Sequence, residues 1–119
     1  MKTRLVVVDA SYVLGLLFPD EKRTSLPKGR MVAPALLAYE VANALKTGIV
    51  RKRIDLELAR HLLGVFRDWG VEMKQVEEEK VMEVAIDANL SVYDASYVWL
   101  ARKLRCPLLT WDKKLSTLV

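Results

Sequence analysis

The sequence predicts an α/β domain with a parallel sheet, and three observations carry that reading. Short apolar runs alternate along the chain with longer segments of helical character. The first of these runs, Arg4–Val8, is short and β-branched, as a buried strand is. The chain has 119 residues, 52% of them hydrophobic, with only 5 Gly and 4 Pro, which suits one domain (residues 1–119) with a sizeable core rather than a low-complexity chain.

The elements follow in order. The strand Arg4–Val8 ends at Asp9, and Ala10–Phe18 reads as a helix. Pro19–Arg30 is polar, holds two prolines and a glycine, and reads as a loop. Met31–Ala33 is a short strand, and Pro34 suits the first position of a helix over Pro34–Thr47. Asp55 caps a helix through Asp68 that Gly70 closes. Val71–Val76 alternates as a strand does, and Glu77–Leu90 is a helix with acids in its first turn, where the macrodipole favours them. Tyr93–Arg105 is a further helix, Pro107–Trp111 a short strand and Lys113–Leu118 a last helical turn. Functional groups of such sheets gather beyond the carboxyl ends of the strands. Asp9 directly follows the first strand and Asp112 the last, which puts both acids on one rim.

Composition narrows the chemistry. A single cysteine, Cys106, excludes an internal disulfide and a Cys-rich zinc site, and a single histidine, His61, excludes a His-rich metal site. No GxxxxGK[ST] or GxGxxG phosphate cradle is present. The longest apolar runs, such as Val13–Phe18, fall far short of the roughly 18–20 residues that cross a bilayer. The apolar stretch behind the basic Met1–Arg4 stops at Asp9, too soon for an export signal, so the expectation is a cytoplasmic protein without a membrane partner. The net charge of +4 suits nucleic acid and suits ordinary soluble proteins too.

Chemistry therefore rests on carboxylates, and four stand out. Asp9 and Asp112 each read as the cap of the following helix or as a ligand held by a strand end. Glu40 lies mid-helix with Leu36, Leu37, Asn43, Ala44 and Thr47 as its surface neighbours. A carboxylate on such a face is a rim residue, or it is paired, protonated or metal-bound. Asp94 follows Ser91 at the spacing of a capping box, and is otherwise a ligand. Together the four acids fit a hard divalent cation, which takes oxygen ligands and keeps mutually repelling carboxylates ionised. Nineteen cationic side chains face the eleven acids outside this quartet, a formal +8, which suits an acidic metal pocket acting on a polyanion. Arg51-Lys52-Arg53, Lys113-Lys114 and Arg102-Lys103-Arg105 either hold phosphates or solvate helix ends, and Lys113-Lys114 adjoins Asp112. Trp111 either stacks a base or packs.

Four segments stand in order: Val6-Val7-Val8-Asp9-Ala10-Ser11, Glu40-Val41-Ala42-Asn43-Ala44-Leu45, Tyr93-Asp94-Ala95-Ser96-Tyr97 and Leu109-Thr110-Trp111-Asp112-Lys113-Lys114-Leu115. Taken together, they resemble the motifs of PIN-domain ribonucleases. They span Leu5 to Leu115, and the chain is most similar to the VapC-like toxins of toxin–antitoxin pairs. The resemblance implies a Rossmann-like parallel sheet flanked by helices. The family commonly has a further strand after its fourth motif, so four or five strands are expected here. It implies that Asp9, Glu40, Asp94 and Asp112 are catalytic and bind one or two Mg²⁺ or Mn²⁺ ions. Ser11, Asn43 and Thr110 would orient carboxylates or waters. By charge, and not by the resemblance, Arg51, Lys52, Arg53, Lys113 and Lys114 are the candidates to touch RNA. The implied activity is an endoribonuclease that hydrolyses RNA phosphodiesters with a metal-activated water. The implied partners are a VapB-like antitoxin and a second copy in a homodimer.

Rival readings fit less well. A receiver domain wants a second acid beside Asp9, where Ala10 stands, and a Lys before its late proline, where Cys106 precedes Pro107. A haloacid-dehalogenase-like phosphatase wants an acid where Ser11 stands. The alternative that keeps the fold is a catalytically silent PIN module that binds RNA or protein, and retention of all four acids argues against it.

Overall fold

Three consecutive valines form the middle of the sheet. Val6, Val7 and Val8 are all buried and belong to β1 (Leu5–Val8). The computed structural model describes residues 4–18 and 25–119, so Pro19–Thr24 of the expected loop lies outside the described residues. β1 pairs in parallel with β2 (Arg30–Pro34) on one side and with β4 (Leu108–Leu109) on the other. β2 carries β3 (Glu72–Lys74) beyond it, giving the four-stranded parallel order β3-β2-β1-β4. The chain thus moves outward from β1 to β2 and β3, then returns to the other side of β1. That reversal opens a crevice beyond the carboxyl ends of β1 and β4, where α/β sheets bind ligands.

The register of β1 on β2 is fixed by a close approach. The Arg30 N–H donates to the Arg4 carbonyl at 2.6 Å, and a Cβ on Gly29 would stand 2.8 Å from that same oxygen.

Helices flank the sheet in two groups. α1 (Ala10–Leu17), α2 (Leu36–Val50) and α3 (Leu56–Asp68) pack on one another, with α2 also on β2. α5 (Val92–Leu104) packs on β1, β2 and β4 and is covered by α4 (Glu78–Ala88). Seven consecutive residues of α5, Ala95–Ala101, are buried, as expected of a helix enclosed on all sides. A short α6 (Lys113–Ser116) ends the order.

Local chemistry explains most boundaries. Asp55 accepts from the Leu58 N–H and starts α3, and Gly70, at φ +66°, turns the chain after it. Ser91 accepts from the Asp94 N–H at the start of α5. Pro34 departs from expectation. It is fully buried and is the last residue of β2, paired with Lys74, and α2 begins at Leu36 without a side-chain cap. A proline at a strand's end costs no ladder bond that a central one would. The expected strands over Val71–Val76 and Pro107–Trp111 are real but shrink to three and two residues. No helix among the described residues is long and apolar enough to cross a membrane.

Candidate active site

Asp9 sits where β1 ends, is 5% exposed, and has both carboxylate oxygens engaged. Oδ1 accepts from Ser11 Oγ at 2.7 Å and from the Tyr12 N–H at 2.9 Å, which caps α1. Oδ2 accepts from the Thr110 hydroxyl, just past β4. Two elements 101 residues apart in sequence are thus joined through one carboxylate. The link is reinforced on the β4 side, where the Trp111 N–H donates to Ser11 Oγ at 2.9 Å and the Asp112 N–H donates to Thr110 Oγ1 at 3.0 Å. Asp112 in turn accepts from the Leu115 N–H and caps α6. The cap and rim readings of Asp9 and Asp112 are therefore compatible: each oxygen set caps a helix from a strand end on the same rim.

Glu40 reaches this rim from the second turn of α2 and Asp94 from the first turn of α5. Both are half-buried. Burial raises the Glu40 carboxyl above its ordinary range, and the negative fields of Asp94 and Asp9 raise it further, while a hydrogen bond from Tyr97 opposes them. Burial raises Asp94 as well, with Asp112 and Asp9 adding to the shift. Glu40, Asp94 and Asp9 thus lie within one another's fields, and Asp112 lies within that of Asp94. None forms an ion pair with a cationic side chain among the described residues, and the Asp94 carboxylate accepts no hydrogen bond there.

Tyr97 is the residue that sequence reasoning left without a role. Its side chain is buried, and its hydroxyl donates to Glu40 Oε1 at 2.5 Å. Burial pushes its pKa up strongly, and the adjoining Glu40 carboxylate adds to this, so it stays a neutral donor. Two signals pointed to it: it lies three residues after Asp94, hence on the same helix face, and a buried tyrosine hydroxyl requires a partner.

The other candidates separate. Ser11 and Thr110 join the network around Asp9, but Asn43 is exposed and makes no hydrogen bond among the described residues. Lys113 is exposed beside Asp112, and Lys114 donates to the Asn89 carbonyl at 2.9 Å. Arg51, Lys52 and Arg53 are exposed at the far end of α2. Trp111 stacks on Tyr12, with ring centroids 6.2 Å apart and planes 18° from parallel.

The donor set fits a hard divalent cation, being all oxygen, anionic and short of positive charge. No three acidic, His or Cys side chains among the described residues group tightly enough to hold an ion by themselves. Ions such as Mg²⁺ and Mn²⁺ keep several waters and take one or two carboxylates together with substrate phosphate oxygens.

No protein-family profile matches the chain. It is 37% identical over 115 residues to ribonuclease VapC9 of Mycobacterium tuberculosis, covering 94% of this chain and 89% of the relative. It is 31% identical over 120 residues to ribonuclease VapC3 of Pyrobaculum aerophilum, covering 93% and 92%. It is 35% identical over 110 residues to a protein of the same organism named exonuclease VapC9, covering 92% and 81%. The crystal structure of PAE2754 from Pyrobaculum aerophilum superposes with a TM-score of 0.77 at 28% identity, over 98% of this chain and 85% of that one.

Proposed function

The chain belongs to the VapC family of PIN-domain ribonucleases, and we propose that it is a divalent-metal-dependent endoribonuclease, the toxin of a VapBC-like pair. The observation that supports this most is the convergence of Asp9, Glu40, Asp94 and Asp112 on one rim without a cationic partner among the described residues.

In this reading those four residues hold one or two Mg²⁺ or Mn²⁺ ions. When bound, the cation lowers the pKa of water and offsets the charge that develops on the phosphoryl oxygens. The chain's own groups do the positioning. Ser11 and Thr110 fix the Asp9 carboxylate with both oxygens aimed by hydrogen bonds, so it loses little freedom on binding a ligand. Tyr97 holds Glu40 from the buried side and leaves its other oxygen for the rim. Asp94, with no hydrogen bond of its own there, is the carboxylate most available as a direct ligand. Lys113 stands beside Asp112, on the approach of an anionic strand.

The partners in this reading are RNA, a VapB-like antitoxin protein and a second copy of the chain. Large exposed apolar side chains such as Tyr39, Ile86 and Tyr93 supply contact surface for the protein partners.

A circular RNA tests the proposed mode of cleavage, since one relative is named an exonuclease. Purified protein with Mn²⁺ is expected to linearise circular RNA and to stop on addition of EDTA. Cleavage of linear RNA alone, with circles left intact, would overturn the internal mode.

A further inference from the structure

A groove of about 420 Å³ runs along the packed surfaces of α1 and α2. It is lined by Ser11 and Leu14 of α1 and by Phe18 at that helix's C-cap, and by Thr47 of α2 and Arg51 at its C-cap. These positions recur at helical spacing, so each helix offers one continuous stripe. On α2 the same stripe, read backward from Arg51 through Thr47 and Ala44, arrives at Glu40. Both helices start at the rim of the sheet where Asp9 and Glu40 stand, and Ser11, which donates to Asp9, lines the groove, so one end of the groove adjoins the candidate active site. The other end lies eleven residues along α2, about 16 Å away at the rise of an α-helix.

That far end is built to present two cations. After α2, Lys52 takes a left-handed conformation at φ 57°, which a residue other than glycine rarely adopts. The turn is held by the Arg53 N–H donating to the Gly48 carbonyl at 2.9 Å and the Lys52 N–H donating to that of Ile49 at 3.0 Å. Ile54 then folds back over Gly48, where a Cβ would stand 3.2 Å from its Cγ1. The consequence is that Arg51 and Arg53 both line the groove while Lys52, between them, does not. Neither arginine forms an ion pair among the described residues, and no Asp or Glu lines the groove.

We propose that this groove is the track for the RNA strand beyond the cleaved bond, and that Arg51 and Arg53 clamp backbone phosphates at its far end. The proposal rests on the ribonuclease reading above and deepens it. The argument for RNA over a protein segment is continuity with charge: the groove opens at the acids through Ser11, which donates to Asp9, and closes on two guanidiniums without carboxylate partners there. A polyanion held at the acids must leave across an adjoining surface, and this one matches its charge. Guanidinium groups suit that role because their donors fit phosphate oxygens in pairs.

The test is binding of fluorescent single-stranded RNA in EDTA, followed by anisotropy across a salt series. Arg51→Gln/Arg53→Gln is set against wild type and against Arg60→Gln/Arg67→Gln, which removes two exposed cations of α3 outside the groove. Loss of two phosphate contacts is expected to lessen the slope of log Kd against log salt by about 1.4, since each contact to a single strand contributes about 0.7. The loss should be alike across RNA sequences and absent for a dinucleotide, which is too short to reach the arginines. The α3 double variant should keep the wild-type slope. Equal slopes in the two double variants, with both proteins folded by circular dichroism, would overturn the proposal and leave the groove to a protein segment. Wild-type protein that shows the expected slope yet cuts no RNA with Mn²⁺ would instead sink the ribonuclease reading alone.

Discussion

Tyr97 donates its hydroxyl to Glu40 Oε1 across 2.5 Å, joining the core helix α5 to an acid on α2. The phenol is 1% exposed and too deep to meet solvent, so its proton has one use, to hold that carboxylate. The bond lowers the Glu40 pKa against burial and the fields of Asp94 and Asp9, which raise it. Tyr97→Phe should therefore raise the Glu40 pKa further and move the acid limb of the pH–rate profile for RNA cleavage to higher pH. It should also cost about 1.5 kcal/mol of stability, the order of a hydrogen bond to a charged group. Profiles of wild type and variant on one RNA check this, and an unmoved acid limb would mean that ionisation of Glu40 does not govern the rate.

Asp94→Asn should stabilise the metal-free protein near neutral pH. The Asp94 and Glu40 carboxyls both have folded pKa values above their ordinary ones. A group of that kind contributes stability at pH below its unfolded pKa and loses it as pH rises through the folded pKa. Each carboxylate therefore weighs against the metal-free fold at neutral pH. The amide removes one ionisable group and eases its neighbours, so in EDTA the Tm of the variant should exceed that of wild type at pH 7, and the gap should close in acid. Thermal melts across pH measure it, and a gap of the opposite sign at pH 7 would contradict the account.

Thr110→Val should weaken cation binding about 10- to 100-fold, the usual cost of losing a hydrogen-bond partner behind a ligand. Valine keeps the shape of threonine and deletes the hydroxyl that donates to Asp9 and accepts from the Asp112 N–H. Mn²⁺ titration by calorimetry gives the affinity. Thr110→Ser, which restores the hydroxyl, should recover most of it.

Gly29→Ala should lower stability by about 1–3 kcal/mol, the range for forced overpacking. The new methyl would meet the Arg4 carbonyl at 2.8 Å and the Val6 side chain at 3.1 Å, and backbone cannot step aside as a flexible side chain can. Denaturant melts report the loss. Cleavage per folded molecule should stay at the wild-type level, because the strain sits at the start of β1 and the acids lie past its end.

The legible parts of the sequence were those where one residue has one local reason. Asp55, Ser91 and Gly70 mark helix ends by chemistry that acts over three or four residues. Asp9 and Asp112 were legible as rim residues because a parallel sheet puts all its carboxyl ends together. Pro34 was misread because a proline fits the first turn of a helix and a strand's end equally well, and only pairing with β3 decides between them. The extents of β3 and β4 were overestimated because strand length is set by the neighbour and not by the run of apolar residues. The Tyr97–Glu40 bond spans 57 residues and belongs to packing, which periodicity does not encode. The separation of Arg51 and Arg53 from Lys52 depends on one left-handed residue that the basic run itself conceals.

Cation-dependent RNA cleavage by the four acids is the activity we propose for this chain. Single-turnover cleavage of one RNA by wild type and by Asp94→Asn, each with Mn²⁺, with Mg²⁺ and with EDTA, tests it most directly. Cutting by wild type with a divalent cation, none in EDTA, and none by the variant at any Mn²⁺ concentration although it folds, is the expected outcome. Cutting by wild type that persists in EDTA, or equal cutting by the variant, would contradict it.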